Sequence, residues 1–409
     1  MVATARDPIP WGTQAAIYGA GFSNFSMGGI SGLIVALLLV QLTDQASLIG
    51  LVIGARHGLT LILSIHGGVL MDRLGTRRVM LVFACVSVIV PLLFPLSPWI
   101  PGLIVLQMVA GVSDAMVWMG AQALSGRVMK GNPLYVGRMT FVVRFGSFIG
   151  PVAIGFVWDF GGIWPAFITM SLWSLIGLIC TLLIPQDSDG ASEAVRPRVR
   201  PRDLVPRFAD YLAAFRLAAI PAIALVLVVT VVRVGGTGIQ NSFYVVYLES
   251  ISFSASTIGL LTGASGLLAS FGSLSAGSMA RLIHPHWLVV IMVSVTVMAM
   301  AVTPLLGGVF LILIAAIGLR GFCQGVSQPM EISVLGRALG AESQGMGVGL
   351  RTTINRGASL LVPILMGLAA DVVGIENSFL VMGGLLLIII AGAGFFVLVR
   401  SDLGPQAGD

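Results

Sequence analysis

The stretch GGVLMDRLGTRRVML, from Gly67 to Leu81, joins two long apolar segments through a compact group of charges. One Asp, three Arg and a Gly lie within the seven residues from Asp72 to Arg78. Apolar residues continue on both sides of this charged group, and each apolar run is longer than a short helix or strand in a soluble core requires. This pattern is typical of a polar turn between two membrane-spanning helices.

The composition of the whole chain supports this interpretation. Of 409 residues, 57% are hydrophobic and only 10% are charged, and the mean hydropathy is +1.01. Soluble domains carry about 25% charged residues, so lipid must solvate most of this surface. The net charge of +5 reflects basic turns rather than a nucleic-acid surface, and we expect no nucleic-acid partner.

Twelve apolar runs are long enough to cross a bilayer, which takes about 20 residues. They lie near 12–40, 46–71, 79–97, 100–125, 136–158, 163–184, 219–248, 255–280, 286–304, 308–335, 345–370 and 377–399. The first run exceeds the roughly 7–15 residues of a signal-peptide core, so we expect a mature spanning helix there. β-Barrel strands are excluded because they are about 10 residues long and alternate in polarity.

Charges in the turns predict the orientation. One set of turns holds acids but no Lys or Arg: Asp44, Asp159, Glu249, Asp371 and Glu376. The opposite set holds Arg73, Arg77, Arg78, Arg127, Lys130, Arg138, the segment 185–218, Arg281, Arg337 and Arg400. We therefore expect a multi-pass protein of the bacterial cytoplasmic membrane, monomeric and surrounded by lipid, with both termini in the cytoplasm.

A long polar segment divides the chain into two units. It occupies 185–218 and is expected to be a cytoplasmic linker, with a short amphipathic part near 204–215. An N-terminal six-helix unit, 1–184, precedes it, and a C-terminal six-helix unit, 219–409, follows.

The two units repeat each other. SLIGLVIGA at 47–55 matches STIGLLTGA at 256–264, an offset of 209. An offset of 212 gives nine identities between the fifth and eleventh predicted helices: Gly137, Thr140, Arg144, Ser147, Pro151, Gly155, Asp159, Gly162 and Phe167 recur as Gly349, Thr352, Arg356, Ser359, Pro363, Gly367, Asp371, Gly374 and Phe379. Two parallel bundles around a central cavity suit alternating access.

The charged turn also carries a family signature. Its residues are Gly68, Asp72, Arg73, Gly75, Arg77 and Arg78. This spacing resembles the loop 2–3 motif of the major facilitator superfamily. The resemblance implies an all-α membrane protein with twelve transmembrane helices in two pseudo-symmetric six-helix bundles. It also implies that this turn latches the cytoplasmic side in the outward-open state.

A second motif lies in the fifth predicted helix, at Gly137, Gly146, Gly150, Pro151 and Gly155. It resembles the antiporter motif of the drug:proton antiporters, with Ile154 as its one departure, and it favours efflux. Two other features weaken a transfer of the family's proton mechanism. Gln107 occupies the place of a common Arg in the fourth helix, and the first helix contains no acid.

Five arginines fall inside predicted spans: Arg56, Arg144, Arg233, Arg320 and Arg356. A charge at mid-membrane costs at least about 2.5–3.5 kcal/mol, so these side chains should face a cavity or pair with acids. Only Asp114 and Glu331 are available as partners. The excess positive charge predicts an anion-binding cavity, with Arg144 and Arg356 as its best pair. Further polar candidates are Asn24, Gln240, Asn241, Tyr244, Arg351 and Asn355. The alternative is that each Arg has a purely structural partner.

Proton coupling requires a titratable group. Asp114 is the first candidate, because burial favours the protonated form of a carboxyl group, and Glu331 is the second. His57 could titrate near neutral pH, although a histidine in a packed helix is more often only hydrogen-bonded.

Several classes of function are excluded or remain open. No phosphate-binding loop, metal-ligand spacing or catalytic triad is present, so we expect no cofactor, no metal and no enzyme. The favoured hypothesis is proton-coupled export or exchange of a small organic anion or an amphipathic molecule. A polyspecific drug exporter, a proton-coupled metabolite uptake symporter and a membrane chaperone or sensor are the alternatives.

Overall fold

The computed structural model describes residues 9–129, 133–185, 216–339 and 344–400, and the predicted amphipathic part of the linker lies outside them. All regular elements in these ranges are helices. They are α1 (Trp11–Leu42), α2 (Ala46–Ala55 and Gly58–Leu74), α3 (Thr76–Leu93), α4 (Ile100–Met129), α5 (Pro133–Gly161), α6 (Ile163–Leu183), α7 (Pro221–Gln240 and Phe243–Ser250), α8 (Ala255–Met279), α9 (Pro285–Ala301), α10 (Phe310–Ala338), α11 (Gln344–Val373) and α12 (Ile375–Val399), with short 3₁₀ turns at Leu217–Ala219 and Thr303–Leu306.

Eleven helices of the described chain are long and apolar enough to cross a membrane. The ninth predicted span corresponds to α9, which has 17 residues and is shorter than the others. The all-α membrane class predicted from the sequence is therefore confirmed. The count of twelve crossings stays a prediction that depends on α9.

Two helices are interrupted where the sequence predicted continuous spans. α2 breaks at Arg56 and His57, and α7 breaks at Asn241 and Ser242. At the first break, α4 passes so close that a Cβ added at Gly111 would collide with the backbone carbonyl of Arg56. The break in α2 thus coincides with a contact between α2 and α4. The apolar pattern of the sequence alone could not predict this break.

Two helix crossings join the N-terminal half (α1–α6) to the C-terminal half (α7–α12). In one, Gly50 of α2 lies against the carbonyl of Pro363 in α11; in the other, Gly259 of α8 lies against the carbonyl of Pro151 in α5. A Cβ at either glycine would collide with the facing backbone, which is how small residues permit close helix packing. The offsets of 209 and 212 relate the two crossings, so the sequence repeat reappears as repeated contacts.

Aspartates reinforce both crossings at the end of the bundle that carries the acidic turns, here called the acidic end. Asp159 of α5 accepts hydrogen bonds from the backbone N–H groups that begin α8, at Ala255 (2.9 Å) and Ser256 (2.8 Å). Asp371 of α11 does the same for α2, at Ala46 (2.7 Å) and Ser47 (3.0 Å). Carboxylates stabilise helix N-termini through unpaired N–H groups and the helix dipole.

The opposite end carries the basic turns and is here called the basic end. Five glycines from both halves are uncrowded there: a Cβ would meet nothing within 4 Å at Gly68, Gly126, Gly137, Gly336 and Gly349. Gly68, the first residue of the predicted latch, therefore makes no close helix contact in this conformation. None of these five glycines lies against the backbone of another helix, whereas the glycines of the two crossings do.

Candidate functional site

A central cavity with two lobes lies between the halves. The first lobe has a volume of about 240 Å³. Its polar lining includes Arg56, His57, Gln107, Arg233, Asn355 and Arg356. The second lobe, about 280 Å³, includes Arg144 and Gln240. Both lobes are lined by Gly28, Thr237, Asn241 and Gln324, so they adjoin each other.

Both helix breaks reach this cavity. Arg56 and His57 of the α2 break line the first lobe, as does Asn241 of the α7 break. Interrupted helices inside a membrane are tolerated where they line a cavity, because polar groups can find partners there. The two interruptions therefore place polar groups on the wall of this cavity.

Arg56 is neutralised within the N-terminal half. Its guanidinium forms an ion pair with Asp114 of α4 and donates to the hydroxyl of Ser31 at 3.0 Å. Asp114 also accepts a hydrogen bond from the hydroxyl of Ser87 at 3.0 Å. Arg56 and Asp114 therefore neutralise each other's charge.

Arg233 is neutralised within the C-terminal half. Its Nε donates to Glu331 of α10 at 2.6 Å, and Arg351 of α11 reaches the other carboxylate oxygen at 3.2 Å. Glu331 is completely buried. Two arginines share one carboxylate, so this group retains one net positive charge.

Arg144 and Arg356, the pair that the sequence repeat relates, have no carboxylate partner among the described residues. Arg144 donates to the amide oxygen of Gln328 in α10 at 3.1 Å, a bond that joins the two halves. The Nε of Arg356 is buried and has no hydrogen-bond partner. Both side chains line the cavity, and their charges are available to a ligand.

A vestibule of about 360 Å³ adjoins the second lobe and is also lined by Arg144. Apolar side chains form much of its wall, among them Phe25, Trp118 and Met139. Ser125 and Gly126, which also line it, belong to the last two turns of α4, so the vestibule leads toward the basic end. The cavity is thus approached from the basic end and obstructed at the acidic end.

Other predicted site residues lie elsewhere. Tyr244 and Arg320 line a separate cavity of only about 10 Å³, which shares Gln240 with the second lobe. The amide of Asn24 donates to the carbonyl of Ala20 within α1 at 3.0 Å, and a Cβ at Gly177 of α6 would touch it. Asn24 lines none of these cavities.

The fifth-helix motif forms a seam between neighbouring helices. Gly146 packs against Phe22 of α1, and Gly155 packs against the backbone of Ala255 in α8. Gly150 packs on α1 as well, whereas Gly137 has no close neighbour. Most of the motif thus permits close packing on both sides of α5.

The predicted latch has its described contacts inside the N-terminal half. Gly75 ends α2 with φ of 94°, which favours glycine. Arg77 donates to the carbonyl of Leu182 in α6 at 2.8 Å, and Arg78 is exposed. The side chains of Asp72 and Arg73 lie outside the described residues.

Sequence reasoning named Glu331 but missed Gln324 and Gln328, which form a polar stripe with it on α10. Gln324 donates to the hydroxyl of Thr237 at 2.6 Å, Gln328 accepts from Arg144, and Glu331 binds two arginines. Their spacing of four and then three residues places them on one helix face. That spacing in an apolar helix was the signal that could have found them. No group of three potential metal ligands occurs among the described residues.

The chain is similar to curated proteins that are named as exporters. The chain is 26% identical over 402 residues to the enterobactin exporter EntS of Salmonella paratyphi A, covering 92% of both chains. It is 24% identical over 397 residues to the exporter of the same name from Escherichia coli O1:K1 / APEC, covering 92% of this chain and 91% of the relative.

Solved structures share the fold. The nucleoside transporter NupG superposes with a TM-score of 0.76 at 12% identity, over 94% of this chain and 98% of the other. A POT family transporter in complex with 5-aminolevulinic acid gives a TM-score of 0.75 at 12% identity, over 95% and 96%.

The family model described as Major Facilitator Superfamily matches residues 17–232 and 226–408. These matches span nearly the whole chain and include both halves around the cavity. The chain therefore belongs to the major facilitator superfamily and is a membrane transporter, not an enzyme.

Proposed function

We propose that this transporter exports, or exchanges, a small organic anion or an amphipathic molecule with an anionic group, by proton-coupled alternating access. The supporting observation is the charge state of the cavity. Arg56 and Arg233 have carboxylate partners, whereas Arg144 and Arg356 have none among the described residues. Arginine forks bind carboxylate and phosphate groups well. Asn355, Asn241 and the other polar lining groups would orient the solute.

The shape of the cavity favours a substrate with an apolar body. The lobes hold the arginines, whereas Phe25, Trp118 and Met139 line the vestibule. An amphipathic anion could place its charge on Arg356 or Arg144 and its apolar part against these side chains. A small and entirely polar metabolite would leave that apolar wall uncovered.

The proposed direction of transport rests on the orientation of the chain and on its relatives. Basic turns favour the cytoplasm, so the basic end, both termini and the vestibule are assigned to the cytoplasmic side of a bacterial inner membrane. The solute would enter from there, and units 1–184 and 219–409 would rock about it while segment 185–218 connects them. The name of the EntS relatives, enterobactin exporter, supports export. The protein would act as a monomer in lipid.

Asp114 and Glu331 are the proposed proton carriers, and their pairing gives the coupling a definite sign. Protonation of Asp114 would release the charge of Arg56, and protonation of Glu331 would release Arg233 and Arg351. Each event makes the cavity more positive, so proton binding and anion binding promote each other. This cooperativity favours the second candidate function, uptake by anion:proton symport, whereas the relatives favour export.

A binding experiment tests the substrate class. The purified protein would be heated with benzoate, citrate or phenyl phosphate, and in parallel with tetraphenylphosphonium or rhodamine 6G. A ligand that binds the native state raises the unfolding midpoint as its occupancy grows. We expect a rise with the anions. A rise with the cations alone would refute the anion cavity and make a polyspecific drug exporter the better interpretation.

A mutational experiment tests the site. Arg144→Ala and Arg356→Ala should each abolish vesicle transport of the anion found in that screen while expression remains normal. Arg337→Ala is the matched control, because this exposed arginine lies at the end of α10 away from the cavity. Normal transport by both cavity variants would contradict the proposal. Imposed pH gradients of either sign then separate export from symport.

A further inference from the structure

A second and much smaller cavity lies entirely within the C-terminal half, between α7, α9 and α10. The centre of a water-sized sphere has about 10 Å³ in which to move there, so the cavity has room for a single small occupant. Its polar lining consists of Gln240, Tyr244, Thr303 and Arg320. Its size excludes a polyatomic organic solute.

Arg320 brings a positive charge to this cavity without compensation. The side chain is 3% exposed, and Nη2 donates to the carbonyl of Gly236 at 3.1 Å. Its Nε has no hydrogen-bond partner, and in the described part of the chain it forms no salt bridge with a carboxylate. A buried charge of this kind is costly unless a counter-charge accompanies it.

Tyr244 adds a second unsatisfied donor. It is 4% exposed, and its hydroxyl has no hydrogen-bond partner. A water molecule could accept hydrogen bonds from both Tyr244 and Arg320, but it would leave the guanidinium charge uncompensated. A monovalent anion could accept both bonds and neutralise the charge as well.

We propose that this cavity binds a small inorganic anion, of which chloride is the cellular example, between the guanidinium of Arg320 and the hydroxyl of Tyr244. The bound anion replaces the carboxylate partner that Arg56 and Arg233 possess. Gln240 lies beside both this cavity and the second lobe, so the anion is held next to the transport route. This site is separate from the cavity of the proposed function.

Thermal unfolding of the purified full-length protein tests the site without any transported solute. Sodium chloride would replace sodium gluconate at constant ionic strength, with sodium bromide as a second small anion. The unfolding midpoint should rise with chloride in a saturable way, because the anion binds only the folded protein. Tyr244→Phe loses one hydrogen bond to a charged group, so its half-saturating chloride concentration should rise at least about tenfold.

Two matched controls isolate the site. Tyr247→Phe removes the other buried hydroxyl of the same helical segment, which contacts the carbonyl of Pro304, and Arg337→Gln removes an exposed arginine from α10. Both should respond to chloride like the original protein, whereas Arg320→Gln should not respond. An equal midpoint in chloride and gluconate for the original protein would overturn the proposal. An unchanged half-saturating chloride concentration in Tyr244→Phe would also overturn the proposal. This second criterion holds even if Arg320→Gln does not fold.

Discussion

Replacing Asp159 and Asp371 by asparagine should loosen the acidic end of the bundle. Each aspartate accepts two backbone hydrogen bonds from the first residues of a helix in the opposite half, at 2.7–3.0 Å. Asparagine keeps one acceptor oxygen but loses the charge and turns an N–H donor toward the helix start. Because both sites are exposed, the loss at each is about 0.3–1 kcal/mol.

The two sites belong to different crossings, so their effects should add. The double variant Asp159→Asn/Asp371→Asn is therefore expected to lose about 0.6–2 kcal/mol from the state that is closed at the acidic end. This loss shifts the population ratio about 3- to 30-fold toward the state that is open there. Single variants should show roughly half of that free-energy change.

Distance measurement by pulsed electron paramagnetic resonance tests this prediction. With Cys85, Cys180 and Cys323 replaced, spin labels at Trp164→Cys and Glu376→Cys would report the separation of the halves at the acidic end.

The double variant should gain a longer-distance population in this measurement. Asp44→Asn is the matched control, because it also removes a negative charge from the acidic end. The side chain of Asp44 makes no hydrogen bond in the described structure. Identical distance distributions for the double variant and the control would refute the stabilising role of Asp159 and Asp371.

Three further predictions concern the ion pairs and the crossings. Glu331→Gln leaves two buried arginines short of their carboxylate and should cost about 3–5 kcal/mol of stability, seen as a large fall in the thermal unfolding midpoint; a midpoint unchanged from the original protein would contradict the pairing. Asp114→Asn should retain anion binding but weaken its pH dependence in a binding titration, because Glu331 remains as the second proposed carrier, and a dependence equal to that of the original protein would assign coupling elsewhere. Gly259→Val places a side chain against the carbonyl of Pro151 and should enlarge the acidic-end distance, whereas no change would show that the crossing is not tight.

Much of the fold could be predicted from the sequence because membrane solvation acts on every residue of a span. The low charge content and long apolar runs require helices, and eleven of the predicted spans reappear as helices of sufficient length. The repeat was equally informative. Gly50 and Gly259, matched at an offset of 209, occupy equivalent crossings.

The interruptions of α2 and α7 could not be predicted in this way. Arg56 and His57 lie between apolar flanks and carry no proline, so hydropathy treats them as part of one span. The close passage of Gly111 in α4 accompanies the first break. Contacts between distant segments do not appear in a local pattern.

The candidate site shows the same division. The sequence by itself determined that five arginines lie inside the membrane with few acids, and that Arg144 and Arg356 correspond. Only the tertiary structure decided which arginines are neutralised, because ion pairs form between residues far apart in the chain: 58 positions for Arg56 and Asp114, and 98 for Arg233 and Glu331. Coulomb attraction acts through space, so the balance of charge in the cavity was fixed by helix packing and not by the order of residues.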